Sequence, residues 1–591
     1  MPFRRHPLAV VLVAATLCLL VGFSATPFWD EDEPRFAAIA RTMAETGDWI
    51  VPVYNGQLAV DKPVLMHWCM AACMRLFGST EFAARLPAAI ATLLTALALL
   101  RAGTRWFDAA VGVVAALAYV GCLLVGVESH AATPDAILVA LTTWAMVLSV
   151  EPLLTDTGRA GHRTGGLPRL GLGRATAIGG LLGLGVLCKG PIGFVGPLAV
   201  ILPWVGLVAL QRRLADADAD AARPTALRLI NAGVMSAIET LRCQRLGIVA
   251  LAALATAAPW YLAVAIRTNG AWPAGFFMIH NVGRFVAPME KHGGGVLYHP
   301  LTMLVGFYPW SCFLPLAVVV AAWRVWKRVG SPALTNTLLL LLVWMAVWIS
   351  GFSAAATKLP NYILPAYPAA ALLVAALGVE ASRRVDWPHP RWLASGLGWV
   401  AFGGLATAIT VIVGTRFGLT GAEPAAAVGL VPIIGAAASL WWARRSHPAG
   451  LAALVVTGLV YTALFVGPAG RQIARANALP ALIDAAHAHA GGQARLAAVG
   501  FVTPNVVYYS RGVVPDWQPD QREGVVEFLQ SGPDAVVMLR ADALAELQDT
   551  LPPQFGVVGR ARPLFRQHDF VIVGSIADAR PRTAGTEKTH R

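Results

Sequence analysis

The chain has 591 residues, of which 57% are hydrophobic and only 13% are charged. Soluble globular proteins carry about 25% charged residues, so this composition excludes an ordinary soluble enzyme and indicates a polytopic α-helical membrane protein. The net charge of +13 does not indicate a nucleic-acid partner, because the Lys and Arg residues lie in short clusters between apolar runs, as in cytoplasmic loops.

Apolar runs recur through residue 466 and predict about thirteen membrane spans, since each is long enough, or nearly so, to cross about 30 Å of hydrocarbon. The predicted spans lie near residues 8–26, 83–100, 109–127, 134–150, 175–188, 191–210, 247–266, 300–322, 334–350, 361–379, 393–414, 425–443 and 449–467. The first run follows Arg4 and Arg5 and resembles a signal sequence, but Ser24-Ala25-Thr26 is a poor cleavage site. We therefore expect an uncleaved first helix.

Basic residues mark alternate loops of this topology. One side receives Arg4, Arg5, Arg101, Arg105, Arg159, Arg163, Arg169, Arg174, the basic residues of 212–245, Arg324, Lys327, Arg328, Arg383, Arg384, Arg391, Arg444 and Arg445. The positive-inside rule makes this side cytoplasmic and predicts a cytoplasmic N-terminus. The other side receives polar residues that are far apart in sequence, including Glu128, Asp135, Lys189 and Lys358, which predicts a composite extracytoplasmic site.

The first outer loop, residues 27–82, opens with the sequence Phe28-Trp29-Asp30-Glu31-Asp32-Glu33-Pro34-Arg35-Phe36. Asp32 or Glu33 can cap a helix that Gly47 ends, and residues 64–77 form a second amphipathic stretch, so two interfacial helices are predicted. Helix capping accounts for one acid. Four carboxylates at the hydrocarbon boundary favour catalysis by at least one of them, which would accept a proton from an acceptor hydroxyl or orient that hydroxyl.

Several cations lie on the outer side, where the positive-inside rule does not account for them. Lys62 and Arg284 are predicted to bind a membrane-embedded phosphate, Arg through two hydrogen bonds and Lys as a point charge. Arg267 and Lys291 favour ion pairing or contact with the membrane interface instead. Asp135 stands at a predicted helix start, so capping and catalysis both stay open for this acid.

The composition changes after residue 470. Buried strands are predicted at 495–502, 535–539 and 570–574, and helices at 478–486, 524–530 and 541–551. These elements indicate a small periplasmic α/β domain over residues 471–578, which follows a membrane domain of residues 1–470. Residues 579–591 are predicted to form a disordered tail.

The motifs of the membrane region resemble those of one family. They are Asp32-Glu33-Pro34-Arg35-Phe36-Ala37, Gly47-Asp48-Trp49-Ile50-Val51-Pro52, Asn55-Gly56, Lys62-Pro63, Phe77-Gly78, Arg85-Leu86-Pro87, Lys189-Gly190-Pro191, Pro259-Trp260-Tyr261, Arg284-Phe285, Pro309-Trp310 and Lys358-Leu359-Pro360-Asn361-Tyr362-Ile363-Leu364-Pro365. In this order they resemble the signature of the aminoarabinose transferase branch of the protein O-mannosyltransferase superfamily, whose members are glycosyltransferases of the GT-C fold. The C-terminal domain resembles the family only in its placement.

The resemblance implies a monomeric bacterial inner-membrane enzyme with a periplasmic active site, which moves a sugar from undecaprenyl phosphate to lipid A or another envelope acceptor. The implied sugar is 4-amino-4-deoxy-L-arabinose. The implied catalytic acids are Asp32, Glu33 and Asp135. The implied contacts to the lipid phosphate are Lys62, Arg284, Tyr362, Arg35 and Lys358. No cofactor is required, but some family members hold a divalent cation near this loop, for which Asp61 and His280 are conceivable ligands.

Two residues depart from the family pattern and leave alternatives open. Asp61 stands where relatives often carry Glu, and Ala59 stands where the aminoarabinose enzymes usually carry an aromatic residue. A protein or polysaccharide glycosyltransferase of the same fold is therefore the first alternative. A transporter of lipid-linked sugars would place polar residues near the membrane midplane, whereas the ionisable residues here gather at one face. An envelope-binding protein that acts through its C-terminal domain is the third alternative.

Overall fold

The computed structural model describes residues 6–23, 26–28, 31–155, 167–218, 226–283, 286, 293–384, 390–500, 502–562 and 568–576. The predicted disordered tail and the predicted phosphate ligand Arg284 lie outside these ranges. Within these ranges, the chain first forms a long succession of apolar helices. A five-stranded mixed β-sheet with flanking helices comes after them.

Helices make up most of the membrane region. The first are α1 (Pro7–Leu20), α2 (Asp32–Thr46), α3 (Leu65–Phe77), α4 (Glu81–Trp106), α5 (Ala109–Val120), α6 (Leu123–Ser129), α7 (Asp135–Thr155), α8 (Leu172–Lys189), α9 (Ile192–Asp218), α10 (Ala226–Cys243), α11 (Leu246–Arg267), α12 (Ala271–Ala274) and the π-helix Gly275–Gly283. The next are α13 (Tyr298–Gly306), the 3-10 helix Trp310–Cys312, α14 (Leu314–Lys327), α15 (Pro332–Ala354), the 3-10 helix Pro360–Ala366, α16 (Tyr367–Arg383), α17 (Pro390–Thr415), the 3-10 helix Glu423–Gly429, α18 (Leu430–Ala443), α19 (His447–Leu464), the π-helix Phe465–Ala469 and α20 (Gly470–Ala474).

Among the described residues, ten helical segments are long and apolar enough to cross a membrane, and the pair α5 and α6, bent by 66°, raises the number to eleven. The predicted count of about thirteen is therefore too high for full-length spans. Helix α1 has only 14 residues. The span predicted at 300–322 is divided between α13 and α14 around Pro309, which has no N–H to continue a helix. Hydropathy detects the apolar runs but not these breaks.

The helices separate two groups of charges. At the C-terminal end of α4, the described ion pairs include Arg101–Glu151, Arg383–Asp108 and Arg324–Glu380. Helix α4 has 26 residues, or about 39 Å at 1.5 Å per residue, and its N-terminal part instead carries the Arg85–Glu33 pair. Arg101, Arg324 and Arg383, which are predicted to face the cytoplasm, thus lie at one end of the bundle, and the predicted site lies at the other.

The loop between α1 and α4 holds the two predicted interfacial helices, α2 and α3. Helix α2 ends at Gly47, whose φ of 75° is the left-handed conformation that favours glycine. A hairpin of β1 (Val53–Tyr54) and β2 (Gln57–Leu58) follows and turns at Asn55-Gly56. One face of α2 is apolar and buried, and it consists of Phe36, Ile39, Ala40 and Met43.

The C-terminal segment contains a sheet of order β4, β3, β5, β7, β6. Its strands are β3 (Arg495–Val499), β4 (Asp516–Trp517), β5 (Ala535–Arg540), β6 (Phe555–Ala561) and β7 (Phe570–Ser575), and its helices are α21 (Leu479–His489), α22 (Pro504–Ser510), α23 (Arg522–Gln530) and α24 (Ala541–Gln548). The predicted strands and helices are present, but α22, β4 and β6 are additional. Strand β6 contains Gly556 and Gly559, which weaken a strand pattern in sequence.

Candidate active site

Glu33 lies in the first turn of α2 and forms a buried ion pair with Arg85 of α4. The guanidinium donates from Nε to Oε1 at 2.9 Å and from a terminal nitrogen to Oε2 at 3.0 Å. Glu33 is 2% exposed and Arg85 is 1% exposed. Two buried ions are tolerated in this way because a bidentate contact matches each charge.

This pair joins segments that are far apart in sequence. The N–H of Ala132, in the turn before α7, donates to Oε1 of Glu33 at 2.8 Å. Arg85 also donates to the carbonyl oxygen of Thr26 at 2.7 Å, so the end of the first apolar segment is held to the same point. Because both oxygens of Glu33 are engaged, the geometry favours an anchoring role for this acid. Its catalytic role stays a prediction.

Glu31 and Asp32 lie at the same helix start but are exposed. Glu31 is the N-cap residue of α2, and its side chain makes no capping hydrogen bond. The predicted capping role of Asp32 or Glu33 is therefore wrong, because the chain enters α2 with helical dihedral angles already at Glu31. Asp32 is exposed beside the buried Glu33.

Two predicted phosphate-binding cations lie near Asp61. Nε of Arg35 is 3.6 Å from Oδ2 of Asp61, and the Arg35 guanidinium lies 5.1 Å from the ring centre of Tyr54. The ammonium of Lys62 lies 6.0 Å from the ring centre of Phe36, on α2. Arg35 of α2 and Lys62 of the following loop thus both act on Asp61, and Arg35 lies three residues after Asp32.

Charges around Asp61 set the ionisation of this surface. Burial raises the pKa of Asp61, but the positive charges of Arg35 and Lys62, with a smaller contribution from His67, outweigh burial and lower this pKa below its usual value. Burial also lowers the pKa of His67 to about 4. At neutral pH the Asp61 carboxylate is therefore ionised, and the His67 ring behind it is uncharged.

Asp135, the first residue of α7, is held by two other segments. Nζ of Lys189, at the end of α8, lies 2.5 Å from Oδ1, and Asn361 donates to Oδ2 at 3.2 Å. The Lys189 ammonium also lies 5.0 Å from the ring centre of Tyr362. The structure therefore brings together Asp135 and Tyr362, which the resemblance implies as an acid and a phosphate contact, and it adds Lys189 between them.

Lys358 is buried, and its Nζ donates to the carbonyl oxygens of Ser353 at 2.7 Å and Ala355 at 2.8 Å. These bonds close the turn after α15, and the phosphate contact implied for Lys358 stays a prediction. Arg267 pairs with Asp48 at 2.8 Å, which confirms the ion pairing favoured for this arginine.

The described part of the chain is predicted to hold metal ligands near the first outer loop, at Asp61 and His280. No group of three or more His, Cys, Asp or Glu side chains there is arranged to hold a metal ion. Asp61 already faces Arg35, and His280 lies in the π-helix Gly275–Gly283. The divalent cation at Asp61 and His280 stays a prediction, and no step of the reaction below depends on one.

Arg85, Asn361 and the residues of α22 near the site have no role among the sequence-based predictions. Arg85 had a usable signal, because an arginine inside an apolar helix requires a partner. Asn361 lies in a family motif but gives no sign of its target. The α22 contacts link residues more than 400 positions apart, and the sequence pattern gives no indication of such a pairing.

Comparison with known proteins gives this arrangement a family context. Residues 61–219 match the sequence profile described as dolichyl-phosphate-mannose-protein mannosyltransferase. The undecaprenyl phosphate-alpha-4-amino-4-deoxy-L-arabinose arabinosyl transferase of Aeromonas hydrophila is 32% identical over 363 residues, 61% of this chain and 58% of that protein. The transferase of the same description from Erwinia tasmaniensis is 28% identical over 484 residues, 81% of this chain and 77% of that protein. The match thus spans a little over half of the Aeromonas protein.

In three dimensions, the chain is similar to ArnT from Cupriavidus metallidurans. The crystal structure of ArnT bound to undecaprenyl phosphate aligns with a TM-score of 0.73 and 21% identity, over 95% of this chain and 97% of that one. The apo structure gives a TM-score of 0.71. This likeness shows the fold, a polytopic helical GT-C fold with a small C-terminal sheet. In sequence, the chain is similar to the aminoarabinose transferases and, over residues 61–219, to the protein mannosyltransferases.

Proposed function

We propose that this chain is an integral membrane glycosyltransferase that moves 4-amino-4-deoxy-L-arabinose from undecaprenyl phosphate to lipid A or a related envelope acceptor. One observation carries the proposal: the acids Asp32 and Asp135 and the cations Arg35, Lys62 and Lys189 gather at one end of a GT-C bundle. The names of the sequence relatives, and the undecaprenyl phosphate in the similar ArnT structure, support this choice of donor.

The reaction is a displacement at the anomeric carbon of the sugar. A new bond forms between that carbon and an acceptor oxygen, and the bond between that carbon and the lipid phosphate breaks with its electrons on the phosphate oxygen. The leaving group is stable as an anion and needs no proton. Lys62 and Arg35 are the described cations near Asp32 that would stabilise the developing charge on the phosphate, and we propose Arg284 and Tyr362 as further phosphate contacts.

Asp32 would act on the acceptor. If the acceptor is a hydroxyl group, the Asp32 carboxylate takes its proton as the oxygen attacks. If the acceptor is a phosphate, its oxygen is already anionic and Asp32 orients it. The ion pair between Asp135 and Lys189 would keep the Lys189 ammonium beside Tyr362, so that Lys189 also faces the site.

The charge distribution supports an orientation. The arginine-rich end of the bundle would face the cytoplasm, and the site and the C-terminal sheet would face the periplasm, as the positive-inside rule requires. We accordingly propose a multi-pass protein of the bacterial inner membrane that acts as a monomer, with a cytoplasmic N-terminus.

Purified protein in detergent or proteoliposomes tests the proposal. It is incubated with undecaprenyl-phosphate aminoarabinose and lipid A, and mass spectrometry follows the mass gain of lipid A. Parallel reactions use other undecaprenyl-phosphate sugars, and protein or polysaccharide acceptors. Transfer to lipid A supports the proposal, whereas transfer only in the parallel reactions would favour the polysaccharide or protein transferase. Movement of the lipid-linked sugar across the vesicle without transfer would favour a transporter.

A further inference from the structure

The C-terminal helix α22 reaches the candidate active site through Tyr509. Its hydroxyl group accepts a hydrogen bond from the backbone N–H of Phe28 at 2.9 Å and donates one to Oε1 of Glu81 at 2.8 Å. Phe28 lies four residues before Asp32, and Glu81 begins the helix that carries Arg85. A single phenol therefore connects the two segments that the Glu33–Arg85 pair also joins.

Neighbouring contacts extend this connection. The ring of Phe28 lies 5.1 Å from the Arg85 guanidinium and 4.8 Å from the ring of Tyr508. The Tyr508 hydroxyl donates to the carbonyl oxygen of Ser79 at 3.2 Å, and Arg41 of α2 donates to the backbone carbonyl of Tyr508. Phe28 is fully buried, so its position is set by these neighbours and not by solvent.

A second set of hydrogen bonds connects the C-terminal segment to the hairpin of the same loop. The side chain of Asn55 donates to the carbonyl oxygen of Val514 at 2.9 Å and accepts from the N–H of Val514 at 2.7 Å. Two hydrogen bonds from one amide fix both the distance and the orientation of the hairpin. The C-terminal segment thus forms hydrogen bonds with the outer loop at two places, just before α2 and at the turn between β1 and β2.

We infer that Tyr509 is a positioning residue of the transfer reaction. Through its hydrogen bonds to Phe28 and Glu81, it sets the position of the Asp32 turn, which is the first turn of α2, relative to Arg85. The inference deepens the proposed function and rests on it. The C-terminal segment is then a working part of the active site, because it sets the geometry of the acid without touching a substrate. A carboxylate displaced by about 1 Å loses much of its effect on a reacting hydroxyl.

Tyr509→Phe tests the inference, since it keeps the ring and removes only the hydroxyl group. We expect kcat to fall about tenfold, the size expected when one buried hydrogen-bonded network loses its central group, while KM for undecaprenyl-phosphate aminoarabinose stays unchanged. Tyr461→Phe is the matched control, because that hydroxyl is also buried and bonded, to Thr407 at 3.0 Å, but lies in α19. Glu81→Gln keeps an acceptor for the phenol, so it should retain activity where Glu81→Ala does not.

Hydrogen–deuterium exchange gives a readout apart from turnover. Amides of residues 26–46 should exchange faster in Tyr509→Phe than in wild type and in Tyr461→Phe. Wild-type turnover in Tyr509→Phe, or lower turnover without faster exchange in this segment, overturns the inference. If the wild-type protein transfers no sugar at all, the proposed function fails, and the exchange comparison still decides whether Tyr509 holds the Asp32 turn.

Discussion

At the scale of single residues, adjacent acids have been given different environments. Glu33 is buried and bound by Arg85 and Ala132, whereas Asp32 is exposed at the same helix start. Both oxygens of Glu33 already accept hydrogen bonds inside the protein and the residue is buried, so we expect Asp32 to act on the substrate and Glu33 to hold the structure.

Asp32→Asn should therefore remove most transfer to a hydroxyl acceptor. General base catalysis contributes about 10²- to 10⁴-fold, so we expect a loss of at least about 100-fold in kcat. Glu31→Gln, which also removes one exposed charge from this turn, should stay close to wild type. Substantial turnover of Asp32→Asn with a hydroxyl acceptor would argue against the base role. If the variant transfers only to a phosphate acceptor and loses little activity there, the role of Asp32 is to orient that acceptor.

His67 should make the protein sensitive to acid. Because burial lowers the pKa of His67 from 6.5 to about 4, the unfolded chain takes up a proton in this pH range before the folded protein does. Stability is therefore lost as the pH falls from about 6.5 to 4, by up to about 3 kcal/mol. Thermal unfolding in detergent at pH 7 and pH 4.5 measures this loss. His67→Gln should flatten the dependence and His6→Gln, at an exposed histidine, should not; equal slopes in all three proteins would exclude His67 as the cause.

At the scale of elements, the Glu33–Arg85 pair holds α2 against α4. The two residues are 52 positions apart, and buried apolar residues of both helices, such as Phe36 and Ala84, belong to one cluster. The contact places the Asp32 turn near the loop that leads to Asp135, so two acids from different helices can share one site.

Arg85→Met should lower the stability of the membrane part markedly. Removing one partner of a buried pair leaves the other charge unmatched and costs about 3–5 kcal/mol. Arg267→Met is the matched control: it breaks the half-exposed pair with Asp48, where a loss of about 0–1 kcal/mol is expected. Thermal unfolding of both variants in detergent distinguishes them, and a similar small shift for both would show that Glu33 finds a second partner.

At the scale of the whole molecule, one hydrophobic core spans the outer loop and the C-terminal segment. Phe28 and Met43 belong to the same buried cluster as Leu482, Tyr508 and Ile572. The sheet is therefore packed on the loop that carries the candidate site, at the end of the bundle opposite the paired arginines.

The two ends should face different compartments. Gly492→Cys, in an exposed turn of the C-terminal segment, should react with a membrane-impermeant maleimide in intact spheroplasts. Ser446→Cys, exposed beside Arg444 and Arg445, should react only after permeabilisation, because basic loops stay in the cytoplasm. Wild-type labelling gives the background from the native cysteines, and the reverse pattern would invert the proposed orientation.

The class of protein, the approximate positions of the spans and the outer loop with its acids follow from the sequence alone. Lipid offers no partners for backbone groups, so apolar runs must become helices, and a pattern in the chain suffices to find them. Local signals also determined the end of α2 at Gly47 and the turn at Asn55-Gly56, since glycine and asparagine adopt backbone conformations that other residues avoid.

Only the tertiary structure decided which acid is held and which is exposed. Glu33 and Asp32 are neighbours of the same type, and their difference comes from Arg85 and Ala132, which the chain brings from other helices. Lys189 and Asn361 meet Asp135, and Tyr509 meets Phe28, for the same reason. Such contacts depend on how distant helices pack, and a sequence pattern records the period of each helix but not its neighbour.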